Sequence, residues 1–304
     1  MADTSVLSIT ELRFAYGDIV AIDGITLQVP SGRIGLVGAN GAGKTTLLKV
    51  LLGVLEPAAG TVVVLGHPVP RKTLEVRSRV GWMPEDDCLP PDQTAADFLG
   101  YAAELGGLPV KAARQRASDI LSLVGLHEER FRYMGDFSTG MKQRAKLAQS
   151  IVHDPDLVLL DEPTAGLDPE GREEMLDLIR RFDDFGINAV ISSHLLTDIE
   201  YTCDWVVMLD GGKVLRSGPL TELSTPDVAE LEVIGDAQAV ARIARSLGAE
   251  VTVDDDSLTL TVPDGDPFTI ARDAVVDAGA AFRRLGVKRT TLEDVFMAGG
   301  DTDG

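Results

Sequence analysis

"RIGLVGANGAGKTTLLKVLLG", Arg33 to Gly53, carries three patterns in one short run. A strand-length apolar stretch, Ile34 to Val37, leads into a glycine-rich turn, and apolar residues at helical spacing follow from Leu47. The turn, Gly38 to Thr45, satisfies G-x-x-x-x-G-K-[ST] between a strand and a helix, the context in which that motif has mechanical meaning. Its glycines let consecutive backbone N–H groups turn toward a phosphate. Lys44 can reach the β and γ oxygens, and the Thr45 hydroxyl can ligate Mg²⁺. The reading is a nucleotide site for ATP or GTP.

Downstream, "LVLLDEPTAGLD", residues 157–168, sets four apolar strand residues before Asp161 and Glu162. An acid at the carboxyl end of a buried strand beside a phosphate loop can hold the metal through its water shell. The next acid can orient or deprotonate an attacking water. Structural reasons alone seldom end a buried strand in two carboxylates, because both would be desolvated. A third element, "FSTGMKQR", residues 137–144, opens a helix with Ser138 as N-cap, and Gly140 keeps the helix start open so that N–H groups can face an anion.

Around these points the chain alternates. Strands are read in "VLSITELRFAY", "GITLQVP", "GTVVVLG", "DLVLLDEP", "INAVISSH", "WVVMLDGG" and "KVLRSG", and helices in the stretch after Lys44, in residues about 92–153, after Pro169 and in "LLTDIEYTC". This order predicts a mostly parallel α/β sheet with a helical insertion. After "LSTPD" the composition shifts, and the order βαββαβ followed by a short helix "TLEDVFMAG" predicts a ferredoxin-like second unit.

Composition narrows the function. The 304 residues, 44% hydrophobic, suffice for one large domain and a small one. A net charge of −20 repels nucleic-acid phosphates and anionic headgroups, so neither nucleic acid nor bare lipid is expected as a partner. No run of about 18 or more apolar residues occurs. The first residues lack the pattern of a signal peptide. Cys88 and Cys203, far apart, argue against a disulfide framework or a zinc site and fit a reducing cytosol.

Over roughly residues 5–224 the sequence resembles the ATP-binding cassette (ABC) ATPases. "GANGAGKTT" is similar to their Walker A, "LVLLDE" to Walker B, "FSTGM" to the signature loop, "GLDP" to the D-loop, "ISSH" to the switch histidine, and "FAYG" to the aromatic that stacks on adenine. The resemblance implies an α/β P-loop NTPase of ABC type, with a mostly parallel sheet core, an antiparallel β subdomain and a helical subdomain. It also implies ATP and Mg²⁺ as cofactors. ATP would contact Tyr16, Gly38, Asn40, Gly41, Gly43, Lys44, Thr45, Thr46, Ser138 and Gly140. The metal would sit near Thr45, Glu85 and Asp161, and Glu162, His194 and Lys44 would act in hydrolysis, with Glu162 as base.

Two departures matter. In the signature loop Thr139 replaces a glycine and Met141 and Lys142 replace the final Gly-Gln portion, leaving Ser138 and Gly140 as the secure matches and Lys142 as a cation near the docking γ-phosphate. In "GWMPEDDCLP", Gly81 to Pro90, the position resembling the Q-loop glutamine is Glu85. The expectation is a metal-facing Glu85 followed by partner-facing Asp86 and Asp87.

The short insertion and "LEDVF" resemble the ATPase subunits of bacterial and archaeal exporters of drugs, polysaccharides or lipids. That resemblance implies a head-to-tail homodimer, a separate transmembrane permease and a place at the cytoplasmic face of the plasma membrane, touching the membrane only through the permease. The expected domains are a cassette over 5–224 and a regulatory or dimerisation α+β domain over 226–304, whose Leu292, Val295 and Phe296 share one helical face. A soluble ABC ATPase of iron–sulfur cluster assembly is the alternative. A module that binds but never hydrolyses is disfavoured by Lys44, Asp161, Glu162 and His194.

Overall fold

A computed structural model describes residues 5–223, 228–262 and 266–288. The chain divides into two compact units, Met1–Pro219 and Leu220–Gly304.

The first unit runs β1 (Ser5–Tyr16), β2 (Ile19–Pro30), β3 (Arg33–Val37), α1 (Lys44–Leu51), β4 (Ala59–Val64), β5 (His67–Val69), α2 (Thr73–Arg77), β6 (Val80–Met83), α3 (Ala95–Leu105), α4 (Val110–Leu123), α5 (Thr139–Ile151), β7 (Leu157–Asp161), α6 (Pro169–Arg180), β8 (Asn188–Ser193), α7 (Leu196–Thr202), β9 (Trp205–Asp210) and β10 (Lys213–Pro219). Six strands form one sheet in the order β10-β9-β3-β8-β7-β6, parallel from β9 to β6 with β10 antiparallel at the edge. β7 is buried at every position and β3 at all but its first, which is why both read as unbroken apolar runs. A four-stranded antiparallel sheet, β2-β1-β4-β5, packs on it, and α1 sends Leu47, Leu48, Val50 and Leu51 into the shared core. Helices α3 to α5 make up the expected insertion.

This strand order positions the site. Because β8 lies between β3 and β7, the turns leaving β3, β8, β7 and β6 emerge side by side at one carboxyl edge of the sheet, where open α/β sheets bind ligands. Register fixes the heights: Asp161 pairs with Ser192, and Val37 with Ser193.

The second unit opens with α8 (Leu220–Leu223) and continues as β11 (Val228–Ile234), α9 (Ala237–Ser246), β12 (Glu250–Asp254), β13 (Ser257–Thr261), α10 (Pro267–Asp277) and β14 (Ala281–Lys288). Its antiparallel sheet, ordered β12-β13-β11-β14, is that of the expected ferredoxin-like sandwich. Leu231, Val233, Leu258 and Leu260 of the sheet pack with Val240, Ala244, Ala271 and Val275 of the two longer helices in a core of their own. The expected last helix, with Leu292, Val295 and Phe296, lies outside the described residues.

Candidate active site

Local sequence shapes the phosphate loop. Gly43 caps α1 with φ 101°, a left-handed conformation that costs a residue with a Cβ, and an added Cβ would lie 2.6 Å from the Ala21 carbonyl oxygen. The backbone can therefore turn tightly enough for Lys44 to start the helix with its ammonium folded back over the loop. Lys44 Nζ donates to the Gly38 oxygen at 2.7 Å and to the Ala39 oxygen at 3.4 Å, and stands 3.5 Å from Glu162 Oε1. Both side chains are buried, so their attraction is little screened.

Glu162 has a second neighbour. His194, just past β8, puts Nδ1 at 2.8 Å from Glu162 Oε2, a distance at which an Nδ1–H donates to the carboxylate oxygen. Glu162 itself sits at φ 48°, a left-handed backbone that costs a non-glycine residue about 1–3 kcal/mol and must be held by its surroundings. Ser192 holds it. The Ser192 hydroxyl donates to Asp161 Oδ1 at 2.6 Å and accepts from the Glu162 backbone N–H at 2.9 Å, all three groups being buried.

Lys44, Glu162 and His194 border one cleft of about 450 Å³ together with Tyr16, Ala21, Ala39, Asn40, Gly41, Gly43, Thr45, Thr46, Glu85 and Ala165. Tyr16 ends β1 as a residue 48% exposed, its ring packed edge-on to that of Phe14 with centroids 4.8 Å apart. An aromatic ring at the border of the cleft is a surface on which a flat aromatic ligand can stack. Gly38 contributes its carbonyl to Lys44, and a Cβ there would meet the Leu209 carbonyl at 2.4 Å.

The donor set suits a hard cation used with phosphate. Asp161 Oδ2 is buried and, among the described residues, has no hydrogen-bond partner, the state expected of an oxygen meant for a hydrated ion. Those residues hold no cluster of three or more His, Cys, Asp or Glu side chains able to chelate a metal. A cation here would thus be held by one or two protein oxygens, such as Asp161 and Thr45, with phosphate and water completing its shell, as Mg²⁺ prefers.

Ser138 and Gly140 stand elsewhere. Ser138 caps α5 by accepting from the Met141 N–H at 3.3 Å, and the loop borders a second concavity with Gly166, Leu167 and Asp168, sharing no lining residue with the first. A Cβ added at Gly140 would meet nothing closer than Leu167 at 3.8 Å, so packing within this chain does not require a glycine there.

The acidic run has a partner within the chain that the sequence did not show. Asp87 is engaged inside the chain, 2.9 Å from Lys142 Nζ, and that pair holds its carboxyl below the usual range. Lys142 is thus paired with Asp87 within the chain, through side chains that are 33% and 57% exposed. Sequence reasoning also missed Ser192, Lys146 and the buried group in which Asp198 accepts from Thr164 at 2.7 Å and pairs with Arg172. Ser192 was the one within reach, since the strand "ISSH" ends beside the "LLDE" strand and a buried serine there needs a partner.

A profile of the ABC transporter family matches residues 22–165. Nod factor export ATP-binding protein I of Ralstonia nicotianae is 32% identical over 303 residues, 98% of this chain and 94% of that one. Daunorubicin resistance ATP-binding protein DrrA3 of Streptomyces coeruleorubidus is 34% identical over 311 residues, 98% of this chain and 96% of that one. Among solved structures, cbiO1 of Clostridium perfringens, part of the ABC transporter complex cbiONQ, aligns with a TM-score of 0.66 at 27% identity over 72% of this chain and 90% of its own. With relatives this similar along nearly their whole length, and with a phosphate loop, a paired acid and a histidine meeting in one cleft, the chain belongs to the ATP-binding proteins of the ABC transporter family, which hydrolyse ATP to power transport.

Proposed function

We propose that the protein is the ATPase subunit of an exporter and that it works as a head-to-tail homodimer on a separate transmembrane permease. The relatives' printed roles in Nod factor export and daunorubicin resistance support the direction of transport. The observation that carries the dimer is the separation of the two concavities: the cleft lacks the Ser138–Gly140 loop of its own chain, and that loop keeps a glycine which internal packing does not demand. A second copy turned head to tail supplies to each cleft the bare helix N-terminus that an anion favours.

In this reading adenine stacks on Tyr16, and the triphosphate lies along the backbone from Gly38 to Thr46 with Asn40, Gly41 and Gly43 in its cradle. Lys44 exchanges its two carbonyls for phosphate oxygens, a stronger charge-assisted partnership. Glu162 Oε1 is thereby released to accept a proton from water, while His194 keeps Oε2 and so the orientation of the carboxylate. Thr45 and Asp161 would hold Mg²⁺, with Glu85 facing it; when bound, the ion neutralises charge on the β and γ phosphates. Closure on ATP and reopening after hydrolysis drive the permease. The first unit is the motor, and residues 226–304 serve regulation or dimerisation. No helix among the described residues is long and apolar enough to cross a membrane, and the net charge opposes lipid binding, so the permease holds the subunit at the cytoplasmic face.

Light scattering tests the arrangement. Glu162→Gln with ATP should run as a dimer, and adding Ser138→Arg to it should return the monomer. A Glu162→Gln protein that binds ATP but stays monomeric, or a dimer indifferent to Ser138→Arg, contradicts the head-to-tail arrangement.

A further inference from the structure

The stretch Glu85–Asp86–Asp87 has partners that nucleotide chemistry does not require. Two lysines of α5, Lys142 and Lys146, lie one helical turn apart on one face and both reach it. Lys142 Nζ pairs with Asp87 Oδ2 at 2.9 Å. Lys146, only 3% exposed, donates to the Glu85 carbonyl at 2.8 Å and to the Asp86 carbonyl at 3.2 Å.

A lysine is almost never buried without a partner, and an apolar residue would fill this space without the cost of desolvating an ammonium. Burial pulls the Lys146 pKa below its ordinary value, opposed by Cys88 and by the carboxylates of Asp87, Asp86 and Glu85. The negative charge of the run therefore has a use: it offsets part of the desolvation of the cation beneath it. The segment needs such an anchor. β6 ends at Met83, and residues 84–93 have no helix or strand to fix their backbone.

We propose that Lys146 and Lys142 are positioning residues for hydrolysis: they fasten the segment that presents Glu85 to the cleft onto the helix capped by Ser138, so that Glu85 and the Ser138–Gly140 loop move as one piece. Glu85 borders the cleft of its own chain, whereas Ser138 and Gly140 border the second concavity. The clamp thus links a chain's hold on its own nucleotide to the loop it offers its neighbour. This rests on the reading of Glu85 and the head-to-tail dimer given above.

Cys88 makes the clamp measurable without nucleotide. It lies one residue past Asp87 in an exposed position, but its thiol rests against Gln149 Oε1 of α5 at 3.8 Å and is partly desolvated, so it reacts faster once the segment lifts; Cys203, the other cysteine in the sequence, is buried and its thiol pKa is pushed far up by that burial. Labelling by Ellman's reagent should be at least about tenfold faster in Lys146→Met, which loses two hydrogen bonds from a charged donor. It should be about threefold faster in Lys142→Gln, which loses one partly exposed ion pair. Lys142→Glu should label faster still, and Lys142→Glu with Asp87→Lys should return toward the wild-type rate. Losing the Lys146 charge alone would raise the thiol pKa and slow labelling, so acceleration reports movement of the segment. Lys142→Gln alters a side chain 33% exposed and keeps the test available if Lys146→Met fails to fold.

The second arm is a Mg²⁺ titration of ATPase activity. Lys146→Met should raise the half-maximal Mg²⁺ concentration several-fold, and adding Glu85→Ala should raise it no further, because the lysine acts through Glu85. Labelling at or below the wild-type rate in both lysine variants, or additive effects of Lys146→Met and Glu85→Ala, overturns the clamp. A wild-type protein without ATPase activity would overturn the hydrolytic reading instead, and the labelling arm would then decide the clamp alone.

Discussion

Replacing Ser192 by alanine removes two buried hydrogen bonds and leaves their partners with nothing in exchange. Asp161 loses the 2.6 Å bond to Oδ1 while Oδ2 already has no partner, and the Glu162 N–H loses its acceptor at 2.9 Å. A bond to a charged group contributes about 1.5–3 kcal/mol and a neutral one about 1, so the expected loss is roughly 3 kcal/mol. In a domain of this size each kcal/mol lowers Tm by about 2–4 °C, which predicts a fall of about 6–12 °C. The assay is calorimetry on the full chain, read in the transition that ATP shifts upward, since only the unit that binds the nucleotide is stabilised by it. Ser193→Ala is the comparison. Ser193 is as buried but, among the described residues, its hydroxyl makes one hydrogen bond, accepting from the Leu195 N–H at 3.0 Å, so about 1 kcal/mol, or 2–4 °C, is expected. Turnover should separate the two further, because Ser192 also holds Glu162 in its left-handed backbone, and Ser192→Ala should fall about tenfold in kcat, equivalent to about 1.4 kcal/mol. A Tm loss no larger than that of Ser193→Ala, with kcat unchanged, would refute this account of the link.

Lys44→Ala should weaken ATP binding itself, by at least about tenfold in a fluorescent-nucleotide titration, because a desolvated triphosphate loses its nearest cation; unchanged affinity would count against the phosphate-loop reading. Asp198→Asn keeps the shape of a side chain 1% exposed but strips the charge that faces Arg172, and should cost about 2–3 kcal/mol in the same calorimetric transition, less than a fully buried pair because Arg172 is 31% exposed. A chain ending at Ser224 should fold and bind ATP, since the first unit has a core of its own, but in the Glu162→Gln background it should form less of the ATP-dependent dimer; equal dimerisation by light scattering would remove that role from residues 226–304.

The nucleotide cleft was legible where chemistry demands fixed spacing along the chain. The phosphate loop must follow a strand and open a helix, and β7 must end in acids, so both could be read from short strings around Lys44 and Asp161. The βαββαβ order of the second unit was legible because each element there is short and sharply bounded. The missed partners share a different property. Lys142 and Asp87 are 55 residues apart, Lys146 and Glu85 61, and Thr164 and Asp198 34. Each such pair joins two segments whose local patterns are complete without it: Lys146 sits in an ordinary helix, and Asp87 in a plausible solvated turn. Only the tertiary fold shows that the lysine is buried and that the turn lies over it. Ser192 is intermediate, because strand neighbours could be guessed but not the register that sets it opposite Asp161.

In the proposed mechanism Glu162 accepts the proton from the attacking water in a cleft that binds ATP without it. Paired measurements on Glu162→Gln, ATP affinity by equilibrium titration and phosphate release at saturating ATP and Mg²⁺, test this most directly. The amide is isosteric and leaves Lys44, Thr45 and the loop backbone in place, so affinity should stay within about threefold of wild type while phosphate release falls by at least about 100-fold, the smallest contribution expected of a general base. Phosphate release within a few-fold of wild type would contradict the assignment of Glu162, and so would an affinity loss large enough to account for the lost turnover.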